Sequence, residues 1–358
     1  MTSKDKFKII IKEEDSLESL DLVAPQKLFD DIYLVIEEND LIIYNFKINK
    51  KLQTLKYHSQ RINRFHLCKN PIFIDNIQLT LSNNLFIVLS SSLDKKFAMH
   101  KIIYENNIFQ FELIAECEPT NNEINGAIQI ENGQFIISTR DQHIILFSQY
   151  INNKNFNKLF EIEKPWPMEA LSPFEIKKNI IGVYWRYDDA ENDETITDDE
   201  EMEKNHSNDG LFIYEIKNNE IKEIKILKNE PTDYHSFIYL KNTLIMEYYK
   251  NFNKQILTLD RNNLQIINNL EFTDDSLSSC DMSSFGSNFF IVAMWKKNEP
   301  IKFIIYDNRS NKKVYESETD KKYFLTENNF VCWNCALYKL KNNEYLLKNL
   351  IIKIEKNN

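Results

Sequence analysis

A chain of 358 residues is longer than one hydrophobic core usually organises, so it is either two domains or an architecture that grows by repetition. A hydrophobic fraction of 42% with 13% aromatics fills a large core, while 8 Pro and 5 Gly leave little for long flexible linkers. The formal charge of −10 gives no net attraction to phosphate and disfavours direct nucleic-acid binding; no run nears the roughly 18 apolar residues of a membrane helix.

The opening stretch, MTSKDKFKIIIKEEDS, returns to acids after three Ile, which is not an export signal. With five Cys, an odd number, no disulfide framework is expected. Reduced thiols in the cytoplasm or nucleus are the expectation, and the Asn-x-Ser sequons at Asn205 and Asn308 are then chance matches in an Asn-rich chain.

In chain order, FKIIIK and DIYLVIEE read as strands, and then one object returns seven times: a β-rich apolar run, an Asn turn, and a second alternating run. The copies are LIIYNFKINKKLQTL, HKIIYENNIFQFELI, HIILFSQYINNKNFNKLFEI, GLFIYEIKNNEIKEIKI, QILTLDRNNLQIINNL, KFIIYDNRSNKKVYESE and CALYKLKNNEYLLKNL. The predicted turn residues are Asn49, Asn106, Asn152, Asn218, Asn262, Asn311 and Asn342. With so little glycine, Asn is the residue best able to take the left-handed turn position. A second strand pair sits between hairpins: IQLTLSNNLFIVLSSS, GAIQIENGQFIISTRD, PFEIKKNIIGVYWRY, FIYLKNTLIMEYY and MSSFGSNFFIVAMW.

Four strands per period, at a spacing near the ~40 to 50 residues of one blade, predict an all-β chain, a single β-propeller domain over residues 1–358. Seven four-stranded blades are favoured over six, with amino- and carboxyl-terminal strands sharing the closing blade. FIISTRDQHIILF (135–147), with Asp141 at the turn, and FIIYDNRSNKKVYE, with Tyr306 and Asp307 ending a strand, resemble blades of the WD40-like propeller superfamily. That resemblance implies a non-catalytic scaffold for protein interactions.

Cys332 and Cys335 form the only Cys-x-x-Cys, in VCWNC. On a strand, residues three apart point to opposite faces, and no second ligand pair is near, so buried free thiols are expected rather than zinc or redox chemistry. The six histidines (His58, His66, His100, His143, His206, His235) show no metal-ligand spacing, and His143 reads as structural beside Asp141. No phosphate loop or nucleophile elbow is present; no metal and no cofactor are expected.

Residues 188–209 are an acidic insert within a blade, and DDAENDETITDDEEMEK (188–204) carries ten acids against one Lys. A solvated loop is the plain expectation. The functional one is a hook for a basic segment of a partner, through Asp198, Asp199, Glu200 and Glu201, with Thr197 in an acidophilic phosphorylation context. Propeller connectivity puts this insert on the same face as EKPWPMEALSP and MWKKNEP. Trp166, Met168, Trp185, Tyr187, Trp295, Lys296 and Lys297 are therefore the candidate partner-binding residues, since aromatics and Met are enriched at interface cores. In YWRY, alternation sends Tyr184 and Arg186 one way and Trp185 and Tyr187 the other. The expected function is a scaffold subunit binding a protein or peptide; the alternative is a propeller hydrolase or other enzyme at the channel mouth.

Overall fold

The computed structural model describes residues 7–13, 23–165, 168–187, 209–228, 237–250, 253–271, 279–295, 299–322, 338–340, 343–347 and 350–356. All regular structure in them is β. The first strand, β1 (Phe7–Glu13), is set aside until its partners appear. Blade 1 is β2 (Val23–Phe29), β3 (Ile32–Glu37), β4 (Asp40–Asn45) and β5 (Lys50–Lys56). Blade 2 starts with β6 (Ile62–Leu67). A hairpin of β7 (Ile72–Ile74) and β8 (Ile77–Leu79) intervenes before its β9 (Leu85–Ser92), β10 (Phe97–Glu105) and β11 (Ile108–Cys117). Blade 3 is β12 (Ile124–Gln129), β13 (Phe135–Thr139), β14 (His143–Asn152) and β15 (Asn155–Glu163). In blade 4, β16 (Met168–Ala170) and β17 (Phe174–Lys177) share the inner position beside β18 (Ile180–Tyr187), β19 (Gly210–Lys217) and β20 (Glu220–Lys228). Blade 5 is β21 (Phe237–Leu240), β22 (Thr243–Lys250), β23 (Asn253–Asp260) and β24 (Ile266–Glu271). Blade 6 is β25 (Ser279–Phe285), β26 (Phe289–Trp295), β27 (Pro300–Asp307) and β28 (Lys312–Lys322). Blade 7 combines β29 (Tyr338–Lys339), β30 (Glu344–Leu347) and β31 (Leu350–Lys356) with β1, which pairs antiparallel with β31 over its whole length.

The fold is a seven-bladed β-propeller, with the amino-terminal strand completing the last blade as the sequence led one to expect. By packing, the chain falls into two compact units, residues 26–231 and residues 1–25 with 232–358.

The middle strands of the blades read as largely apolar runs because both of their faces are covered. In β13, Phe135 and Ile137 enter the core shared with blade 2 (Ile87, Leu89, Phe97, Met99), while Ile136 enters the core shared with blade 4 (Ile181, Val183, Trp185, Tyr214). Each such side chain removed from water contributes roughly 1.5 to 3 kcal/mol. Blades 6 and 7 meet the same way, with Ile291, Phe303 and Ile305 against Tyr345, Leu347, Ile352 and Phe7.

Side-chain amides stitch the inner strands of blades 1 to 4. Gln26 donates to the Phe65 carbonyl (3.1 Å) and accepts from the Leu67 amide (2.9 Å), imitating a ladder rung. Asn63 donates to the Ile124 carbonyl and Asn125 to the Ala170 carbonyl, each at 2.9 Å. The buried Gln129 accepts from the amides of Lys69 (3.0 Å) and Asn70 (2.9 Å) and donates to the Asn70 carbonyl (3.0 Å).

Turn chemistry follows the scarcity of glycine. Asn49, Asn106, Asn218 and Asn311 have positive φ as expected. Two turns are corrected: between β14 and β15 the left-handed pair is Asn153 and Lys154 rather than Asn152, and between β23 and β24 it is Leu264 rather than Asn262. Asn342 lies outside the described residues, and its neighbour Asn343 takes φ 60. Consecutive positive φ at Asn106–Asn107 and Asn218–Asn219 is the type I′ geometry that suits a twisted hairpin.

A further correction concerns IQLTL, read as an inner strand. That position is held by β6, and residues 72–79 form the short hairpin whose β7 pairs parallel with the far end of β14.

Six blades share a detail of register. Where the third strand meets the fourth, the outer strand carries one extra residue: Leu52, Ile114, Leu159, Ile224, Ile267 and Val314. Such bulges bend an edge and blunt its pairing with another strand.

Gln129→Leu should lower stability by about 2 kcal/mol, because the Lys69 and Asn70 N–H groups and the Asn70 carbonyl lose their side-chain partner while the apolar volume is kept. Urea unfolding followed by tryptophan fluorescence checks this, and a change within error contradicts the amide stitch.

Candidate functional site

Two polar clusters in blades 1 to 4 stand out, and the first lies at the end of blade 4 where the acidic insert departs. Register sets Met168 opposite Tyr187, Glu169 opposite Arg186 and Ala170 opposite Trp185, and Gly210 opposite both Trp185 and Lys228. The start of β16, the end of β18 and the start of β19 therefore share one end of the sheet, and the Asn179 and Asn218 turns share the other.

Below the Met168–Tyr187 pair sits a buried ion pair. Arg186 Nε donates to Glu169 Oε2 at 2.7 Å, and Asn125 of blade 3 donates to Glu169 Oε1 at 2.9 Å. Glu169 is only 4% exposed, so loss of either donor leaves a charge with too little compensation. Asp209, also buried, accepts the Tyr187 backbone N–H at 2.7 Å and fixes the point where the insert rejoins the sheet. Blades 3 and 4 approach closely here. A Cβ on Gly126 would lie 2.8 Å from the Cα of Ser172, whose hydroxyl donates to the Asn125 carbonyl at 2.8 Å.

Met168 and Tyr187 are half-buried, at the surface end of the strands. Trp185, expected beside Tyr187 on a docking face, is corrected: it is 1% exposed, within the core between blades 3 and 4, and donates from Nε1 to the Tyr214 hydroxyl at 2.7 Å. Burial in YWRY divides along the strand, Tyr184 and Trp185 inside and Arg186 and Tyr187 half-buried, because packing ends where β18 runs out of neighbours. Trp295 ends β26 opposite Ser279. Trp166, Thr197, Asp198, Asp199, Glu200, Glu201, Lys296 and Lys297 lie outside the described residues, as do Cys332 and Cys335.

The second cluster was not anticipated. His58, in the loop entering blade 2, approaches Asp94 with Nδ1 (3.0 and 3.1 Å) and Ser90 Oγ with Nε2 (2.8 Å); Ser90 Oγ in turn lies 3.3 Å from His100 Nε2. Asp94 also accepts the backbone N–H groups of Ser59 (2.9 Å) and Lys96 (3.1 Å). One proton arrangement satisfies every member: His100 donates to Ser90, Ser90 to His58, and His58 to Asp94. Burial lowers the affinity of His58 for a proton, against the pull of Asp94, and pushes His100 down to about 3. Burial alone would raise the Asp94 carboxyl, but its backbone donors and His58 outweigh that and hold it below the usual carboxylate range.

The order Ser, His, Asp is that of an acyl-transfer triad, yet Ser90 is 0% exposed and its hydroxyl is held by two imidazoles. The chain of hydrogen bonds joins a loop, two strands and a turn of one blade, which is a structural role. His143 pairs with Glu161 at 2.9 Å across β14 and β15, and among the described residues no group of three His, Cys, Asp or Glu is placed to hold a metal ion.

No known protein-family model matches this chain, and no curated protein shows significant similarity to it.

The buried imidazoles set a pH dependence. His58 and His100 have folded pKa values below their unfolded value of about 6.5, so their contribution is complete above that pH. It is lost as pH falls, since the unfolded chain takes up protons that the folded one refuses. Asp94 acts in the same direction at lower pH, and Lys96, Glu116 and Tyr57 are the other titratable groups facing the cluster. Between about pH 6 and 4, His100→Gln should flatten the slope of stability against pH by about 1.4 kcal/mol per unit. Urea titrations across that range measure it, and parallel slopes for the two proteins would contradict the assignment.

Proposed function

We propose that the protein is a non-catalytic interaction scaffold, a divergent WD40-like propeller that binds a protein or peptide through the strand ends of blade 4. The observation that supports this is the Met168–Tyr187 pair, two half-buried interface-type side chains side by side on a base held by the Glu169–Arg186 ion pair, Asn125 and Asp209. A rigid base matters because an anchor already held in place loses less freedom on binding. Residues 188–204, which leave directly after Tyr187, carry ten acids against one Lys, nearly all of the chain's net charge of −10. A partner with a basic segment fits that charge, and phosphorylation of Thr197 would strengthen the attraction. Trp166 precedes Met168 in the chain and belongs to the same proposed face. An enzymatic reading draws on the Ser90, His58 and Asp94 alignment, and the burial of Ser90 argues against it.

Two variants test the proposal in quantitative affinity purification: Met168→Ala with Tyr187→Ala, and replacement of 188–204 by an uncharged segment of equal length. Each should reduce retention of a stoichiometric partner by about tenfold or more, with unchanged circular dichroism. The acidic replacement should matter most at low salt. Equal retention by wild type and both variants would overturn the assignment of this face.

A further inference from the structure

Residues 164–168 carry the chain from the end of β15 in blade 3 to the start of β16 in blade 4, and so decide where Met168 enters the proposed face. The stretch KPWPM holds two prolines, each lacking the N–H that could tie the connection down. Two backbone bonds hold its ends: the Lys164 N–H donates to the Gln142 carbonyl at 3.1 Å, and the Met168 N–H to the Pro165 carbonyl at 3.3 Å. The side chain of Lys164 supplies a third attachment. Its Nζ lies 4.5 Å from the centre of the Phe212 ring and 5.9 Å from that of Trp185, and it donates to Glu223 Oε2 at 2.9 Å. One ammonium thus joins the connection to β18, β19 and β20 of blade 4, while the backbone at 164 stays on the β13–β14 turn of blade 3.

An apolar side chain of similar length could cover the same rings. A cation adds attraction to the ring faces and to a carboxylate, which fixes the direction of the side chain as well as its burial. The lysine–glutamate pair alone contributes little, because water screens a pair this exposed. The ring faces make the contact firm, since Phe212 and Trp185 are themselves locked in the core between blades 3 and 4.

We propose that Lys164 is a positioning residue for the blade 4 face: its charge latches the connection onto Phe212, Trp185 and Glu223 and so holds Met168 beside Tyr187 for a partner. The inference rests on that face being the binding surface, and it gives the face a single-charge control point. A neutral side chain at 164 frees the connection without touching Met168, Tyr187 or the Glu169–Arg186 pair beneath them. An anchor left to be ordered during binding lowers affinity by the freedom it then loses, so the latch acts on binding without contacting the partner.

Hydrogen exchange read by mass spectrometry on the free full chain, together with partner retention in affinity purification, tests this. Lys164→Met keeps the apolar stem and removes the charge. It should speed exchange across 164–168 by about threefold or more and lower retention by about three- to tenfold. Lys164→Arg, which keeps the cation over the rings, should match wild type in both measurements. Glu223→Gln should have the smaller effect, since the ring faces still hold the ammonium. A merely structural lysine would change stability in urea and leave retention as it was. Unaltered exchange in Lys164→Met overturns the latch, as does Lys164→Arg behaving like Lys164→Met. Unaltered retention by Lys164→Met, where Met168→Ala with Tyr187→Ala loses the partner, overturns the positioning role alone. Unaltered retention by both overturns the face on which the inference rests.

Discussion

Everything else in this molecule depends on one constraint: the middle strands of the blades are covered on both faces, and most of what they bury is apolar. In β3 and β4, Leu34, Val35, Ile36, Leu41, Ile42 and Ile43 are all buried, so neither side of the sheet can meet water. A single blade of this kind has no stable existence, and it gains its stability by stacking on neighbours. The same constraint explains the amide stitches. Inner strands packed face to face leave backbone groups that a neighbouring ladder cannot reach, and Gln26, Asn63, Asn125 and Gln129 supply the missing donors and acceptors.

Polar groups inside such a stack are tolerated only when fully satisfied. The His58, Asp94, Ser90 and His100 chain meets that condition with each proton assigned, and Trp185 meets it through the Tyr214 hydroxyl. Both sets are therefore parts of the scaffold. Burial is what separates the Ser90 alignment from a catalytic triad, since a nucleophile must reach a substrate and Ser90 reaches only its own blade.

The repeat was legible because two-sided burial writes largely apolar runs, and because turns without glycine fall to Asn. IIY in β4, FIY in β19 and IIY in β27 could be aligned by eye, and their tyrosines, Tyr44, Tyr214 and Tyr306, sit next to the bulge in their blades. The bulges were not legible, since an extra apolar residue in an alternating run looks like the run itself. The role of β6 was missed because INRFHL is more polar than IQLTL, and polarity is what an inner strand needs when Asn63 must reach the next blade. His58 meets Ser90 and Asp94 from 32 and 36 positions away in the chain, so no local pattern announces the cluster. Strand alternation also failed at YWRY, where the end of packing rather than the choice of face decides what is covered.

Once faces are consumed by stacking and outer edges are blunted by bulges, few surfaces remain with fixed geometry. Strand ends are one: there the register that aligns Met168 with Tyr187 also aligns the ion pair beneath them, so whatever sits on this surface is held as firmly as the sheet. The unbulged edge of β1 is the other, and it is fixed for the opposite reason, since β31 holds it straight along its whole length. A mutation at one should leave the other intact, because they belong to different blades and share no residue.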